Sequence, residues 1–159
     1  MALLPFFEWM EGLAVTESLR SVPWFGAMIN VMHLICLVVF AGGLLIVDLR
    51  LMGGGLTKQP LAQVAREARP WLIGGFIGLV LTGIPQLMLT AIKEYYAPLF
   101  WFKMEVLLVA IIFTFTVRHN LTMGDEARLG RVWGKVVGLV SIVLWSAVAI
   151  PARLIGLVG

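Results

Sequence analysis

The chain has two histidines, and His33 lies within an uncharged stretch of 24 residues, Trp24 to Val47. An ionisable side chain at membrane depth is costly, so such residues mark functional sites or pair with a neighbour. Three roles are open to this imidazole. It can be a neutral side chain hydrogen-bonded to an adjacent helix. It can be an axial ligand to haem iron, for which histidine is the usual choice in helical bundles. It can also serve a proton relay or a quinone site. Asn30 lies one helical turn before it and Cys36 one turn after, so the three share a face that is expected to point into the protein.

A haem ordinarily takes a second axial ligand. His119 is expected at the opposite end of the membrane from His33, too far to serve within one subunit. The end of the second span and the start of the third share the depth of His33, which brings Met88 and Met104 into range. His/Met ligation is chemically sound. Methionine is equally an ordinary gap-filler in apolar cores, and a second His33 from another copy would also serve. Lys103 and Arg153 fall toward the same side. Each can snorkel to the headgroups or pair with haem propionates or an anionic lipid. Glu105, two residues from Lys103, points to a different face. At the far end of the first span, Asp48 and Arg50 read as interfacial charges that pair with residues such as Arg69 or Arg118. Ser141, Trp145 and Ser146 recur at helical spacing and suit helix–helix packing or a Trp edge against a cofactor. The sequence has no phosphate-cradling glycine loop, nucleophile elbow or Cys/His metal cluster. Gly53-Gly54-Gly55 lacks the lysine and following helix of a phosphate-binding loop.

The composition decides which elements hold these residues. Of the 159 residues, 60% are hydrophobic and 13% charged, with a mean hydropathy of +0.98. Soluble domains carry about 45–50% apolar and roughly 25% charged residues, so a soluble fold is excluded. With one cysteine, no intramolecular disulfide can form. About 20 apolar residues cross a bilayer as a helix. Four stretches qualify, at 24–47, 71–92, 99–117 and 132–150. Residues 1–22 precede them, with an amphipathic helix over 3–20 expected at the membrane interface and Trp9 at headgroup level. The N-terminus has no basic region and does not read as a cleaved signal.

Between the first two spans, 56–69 reads as a basic loop with a short helical piece after Pro60. The second span carries Gly74, Gly75, Gly78 and Gly83, which permit close helix approach, and Pro85, which should kink it. Residues 120–135 read as a charged loop with Asp125, Glu126 and Arg128. The fold predicted is a single domain over 1–159, an all-α integral membrane protein built as an antiparallel bundle of four transmembrane helices. Of the 12 Lys and Arg residues, all but Arg20, Lys93, Lys103 and Arg153 sit at the 1–2 and 3–4 connections. The positive-inside rule then places those connections in the cytoplasm and both termini outside. The sequence pI near 9.4 reflects these loop charges. Nucleic acid is not an expected partner, since no nucleic-acid motif is present.

The run "MHLICLVVFAGGLLIVDLRLMG", then "ARPW", "LTGIPQLML", "FWFKMEVLLVAIIF" and "SIVLWSAVAIPARLIG", resembles a family of small, functionally uncharacterised bacterial inner-membrane proteins with four spans. The resemblance covers nearly the whole chain. The spacing from His33 to Asp48, Arg50 and Leu51 is its most specific part. Such proteins are similar to four-helix b-type cytochromes and to membrane domains of the copper-resistance D type. The resemblance implies location in a bacterial inner membrane and, by analogy, electron transfer. The chain lacks the paired histidines of diheme cytochromes, so a two-haem path across the bilayer is not expected.

Two functions follow as expectations. One is an electron-transfer subunit holding haem b, or contacting quinone, near the outer face and serving a periplasmic redox partner. The other is a non-redox interaction subunit of a homo-oligomer or larger membrane complex. Either is more in keeping with an accessory subunit than with a stand-alone enzyme.

Overall fold

A computed structural model describes residues 3–124 and 130–158, with side chains described as far as residue 155. The predicted loop charges Asp125, Glu126 and Arg128 lie outside the described residues. The fold is all-α, with four helical spans long and apolar enough to cross a membrane. Two short helices come first, α1 (Leu4–Glu11) and α2 (Ala14–Arg20). The spans are α3 (Phe25–Met52), α4 (Leu61–Leu89), a third run over Pro98–Met123 and a last helix, α8 (Arg131–Val158). A short helix α5 (Ala91–Tyr96) links α4 to α6 (Pro98–Phe113). The third span continues from α6 through a π-helical turn, Thr114–Arg118, into α7 (His119–Met123).

The most apolar window of each span has a mean hydropathy of 1.9 to 2.4, yet only 17–22% of it is buried within the chain. A helix apolar on all sides but covered on so little of its surface must meet lipid elsewhere. The protein is therefore a multi-pass membrane protein in contact with the bilayer.

Several element limits differ from the sequence reading, each for a local reason. The N-terminal segment is two helices, because the chain turns at Gly12 and Leu13. Thr16 Oγ1 then donates to Met10 O at 2.9 Å and ties α2 back to α1. The second span begins at Leu61, upstream of Trp71, and is continuous through Pro70 and Pro85. Leu61, Val64, Ala65 and Ala68 recur at helical spacing and are buried with Val47, Leu51 and Val137. That burial carries the helix through Pro70, whose missing N–H costs one hydrogen bond. The fourth span likewise passes Pro151. The first span ends where expected for a glycine run. Gly53 adopts φ +75°, Gly53 N donates to Arg50 O and Gly54 N to Leu49 O. This left-handed glycine closure satisfies the last carbonyls of the helix.

Direct packing runs from α4 to α3, from α3 to α8 and from α8 to α6. At one end of the bundle α7 also meets α4, and Phe76 meets Phe115 edge to face with ring centroids 5.8 Å apart. The α3–α4 seam is close. A Cβ added at Gly75 would sit 2.9 Å from Phe40 N, and one at Gly43 would sit 3.2 Å from Leu72 Cγ. At the terminus-bearing end, α1 lays Phe7 against Tyr95, Phe100 and Trp101. Arg20 pairs with Glu11 at 3.0 Å and donates to Leu89 O, while Glu11 also accepts from Ile92 N at 2.8 Å. The short helices thus clamp the α4–α5 junction.

Candidate functional site

Polar side chains gather at two places, one toward each end of the bundle. The first is built on His33, about 12 Å along α3 from its start at 1.5 Å per residue. The α3–α4 seam brings it against Thr82, with His33 Nδ1 2.7 Å from Thr82 Oγ1. Thr82 Oγ1 also lies 2.6 Å from Gly78 O, as its donor. A hydroxyl has one proton to give. With that proton on the Gly78 carbonyl, Thr82 accepts from His33, which assigns the proton to Nδ1. The Nε2 lone pair then remains available. The imidazole also lies beside Gly83, where an added Cβ would make ordinary van der Waals contact with His33 Cε1 at 3.4 Å. His33 itself is half-buried.

Of the other residues expected around His33, Lys103 comes within electrostatic reach of it, whereas the rest form no hydrogen bond with it among the described residues. Asn30 and Met104 are exposed on the surface of the chain, as are Glu105 and Arg153. Met88 packs instead into the cluster of Phe7, Met10, Ala91, Phe100 and Ile155. Lys103 is half-buried, stands over the Phe100 ring at 5.1 Å and lies within electrostatic reach of both His33 and Glu94. Glu94 has one carboxylate oxygen sealed from solvent with no hydrogen bond among the described residues. His33, Thr82, Lys103 and Glu94 are therefore among the polar side chains that the fold brings to this end, together with the Glu11–Arg20 pair.

The second place is a buried ion pair. Asp48 is 1% exposed. Arg118 Nε donates to Asp48 Oδ1 at 2.8 Å, and Arg118 Nη2 donates to Leu44 O at 3.0 Å. Ser141 Oγ donates to Asp48 Oδ2 at 2.7 Å. The centre joins three spans through one carboxylate. Two features admit it. Gly138 lets α8 approach, because a Cβ there would lie 3.0 Å from Asp48 O. The π-helical turn buries both Thr114 and Arg118, and Thr114 Oγ1 accepts from Trp145 Nε1 at 3.0 Å. Such i→i+5 turns within helices frequently accompany functional sites.

Asp48 was expected, with Arg50, as an interfacial charge pairing with a residue such as Arg69 or Arg118; it does pair with Arg118, but the pair is buried. Ser141 was expected only as a packing residue. The sequence carried a signal for it, namely a hydroxyl at helical spacing on an otherwise apolar span, and the missing part was its partner. Beside Arg118 lies a half-open cavity of about 310 Å³, lined on one side by Arg69 and Leu72 and on the other by Thr114, His119 and Thr122. Among the described residues, no group of three or more His, Cys, Asp or Glu side chains is placed to hold a metal ion.

No curated protein and no solved structure matches the chain. One family model does, over residues 6–158, which takes in α2 to α8 with most of α1 and both polar centres. The protein thus belongs to the family of unknown function DUF6644.

Proposed function

We propose that the protein is a small electron-transfer subunit of a bacterial inner membrane, with His33 as an axial ligand to a b-type haem. The observation that supports this reading is the hydrogen-bond chain from His33 Nδ1 through Thr82 Oγ1 to Gly78 O. A metal-bound histidine characteristically donates its other ring N–H to a fixed acceptor, which sets its tautomer and orientation. Thr82 provides such an acceptor, so the donor chemistry of His33 fits an axial ligand. The bound haem would supply one-electron transfer.

The chain's own residues have limited roles beside it. Thr82 orients the imidazole, and Lys103, near His33, offers a cation for a propionate. Met88 and Met104 fit less well as second ligands, since one is packed elsewhere and the other lies on the chain surface. Of the second ligands considered, a His33 from another copy fits best, because His33 is only half covered within one chain. The reading therefore includes a homo-oligomer or larger membrane complex, with quinone or a periplasmic protein as electron donor or acceptor. The excess of Lys and Arg at the 1–2 and 3–4 connections supports periplasmic termini.

A non-redox interaction subunit is the second reading, and the same hydrogen bond favours it, because Thr82 already satisfies a polar atom of the imidazole. Absorption spectra of the protein expressed with ample haem separate the two. The haem reading expects a Soret band that shifts on dithionite reduction and is lost in His33→Ala while the protein still inserts. No band in wild type would leave His33 a structural residue. A band surviving His33→Ala would place the iron on another ligand.

A further inference from the structure

The cavity beside Arg118 has no part in the haem reading. Arg118 has five N–H donors. Two are committed, to Asp48 and to the Leu44 carbonyl, and among the described residues the others have no hydrogen-bonded acceptor. The side chain is 5% exposed and lines the cavity. Its charge is balanced by Asp48, so the net positive charge at the opening comes from Arg69, which is exposed on α4. His119 and Thr114 add ring and hydroxyl groups, whereas Val47, Leu72, Ile73 and Phe115 make the remaining wall apolar.

A preorganised guanidinium, a second guanidinium at the mouth and an apolar wall together suit a ligand with an anionic head and an apolar neighbour. Guanidinium groups match phosphate oxygens through paired donors. At 310 Å³, against about 30 Å³ per liquid water, the space holds a phosphate group with accompanying water. The cavity also lies where α4 and the third span meet through α7 and the Phe76–Phe115 contact. Its half-open form leaves a way in.

We infer that this cavity is a phosphate-binding site, in which Arg118, held by Asp48, and Arg69 grip an oxyanion. The phosphate can come from an anionic lipid headgroup at the membrane surface or from a free anion in solution. Basic pockets between membrane helices recognise lipid headgroups by the same chemistry.

The full chain, purified and placed in nanodiscs, tests this and distinguishes the sources. One arm uses phosphatidylcholine with added phosphatidylglycerol and reads bound lipid by native mass spectrometry after release. The other uses phosphatidylcholine alone and reads thermal stabilisation on titration with inorganic phosphate. Arg69→Gln removes the exposed guanidinium without touching the buried pair, and Arg66→Gln removes a neighbouring exposed charge that does not line the cavity. Loss of a charge-assisted hydrogen bond should weaken binding about tenfold in Arg69→Gln, with Arg66→Gln near wild type. That pattern with phosphatidylglycerol assigns a lipid phosphate, and with inorganic phosphate a free anion. No binding in either arm, or equal losses in the two variants, overturns the site.

Discussion

Asp48→Asn is the substitution most informative about the fold. The carboxylate is 1% exposed and Arg118 4%, so neither charge is relieved by water. In the native chain Asp48 receives two charge-assisted hydrogen bonds, from Arg118 Nε at 2.8 Å and Ser141 Oγ at 2.7 Å. The amide keeps the shape but removes the countercharge, leaving the guanidinium buried and unpaired. Breaking one partner of a buried pair costs about 3–5 kcal/mol, roughly two to three decades or more in the folded-to-unfolded ratio. Removing both charges should cost much less, because nothing is left uncompensated. The assay is equilibrium unfolding by SDS in mixed micelles of wild type, Asp48→Asn, Arg118→Met and the double variant. The cycle should return a coupling of about 2 kcal/mol or more, with the double variant above Asp48→Asn in stability. If Asp48→Asn costs below about 1 kcal/mol, or if the single losses add, the pair is not the internal clamp described.

Further outcomes follow from the same geometry. Gly75→Ala should destabilise by about 1–3 kcal/mol through overpacking against the Phe40 backbone, since its Cβ would lie 2.9 Å from Phe40 N. Gly74→Ala, next to it with nothing within 4 Å, should be neutral or stabilising by up to about 1 kcal/mol; thermal melts of both in one detergent check the contrast. Ser141→Ala should cost about 1.5–3 kcal/mol for the lost bond to a carboxylate, measured in the unfolding series above. In a Cys36→Ser background, Lys58→Cys should resist an impermeant thiol reagent in intact cells, and efficient labelling would reverse the proposed orientation.

The fold was largely legible because hydropathy over about 20 residues is a strong signal, and four such windows reappear as four spans. Their limits were less so. Residues 56–69 read as a basic loop with a short helical piece after Pro60, yet Val64, Ala65 and Ala68 are buried against α3 and α8, and this tertiary contact makes that piece part of the span. The candidate site was legible in part. His33 stood out because an imidazole within an uncharged span is rare, but helical spacing alone could not choose between its neighbours. Asn30 shares a helical stripe with His33 and is nonetheless exposed, since the α3–α4 seam covers one edge of that stripe at Thr82. The internal pair was hidden for another reason. Arg118 stood beside Arg69 among the partners expected for Asp48, but Asp48, Arg118 and Ser141 lie on different spans, and nothing local marks the group as buried or names Ser141. The π-helical turn beside Arg118 has no composition mark at all.

The central claim is that Thr82 prepares His33 to ligate haem, and the most direct measurement is the haem content and redox spectrum of wild type beside Thr82→Val. The wild type should carry a dithionite-reducible b-type haem at one per two chains, with two histidines as ligands. Losing the acceptor for His33 Nδ1 should weaken haem retention by about 10–100-fold, as for other groups that orient a metal ligand. A wild type that binds no haem when it is supplied in excess, or a Thr82→Val variant that retains it as firmly as wild type, would contradict the account.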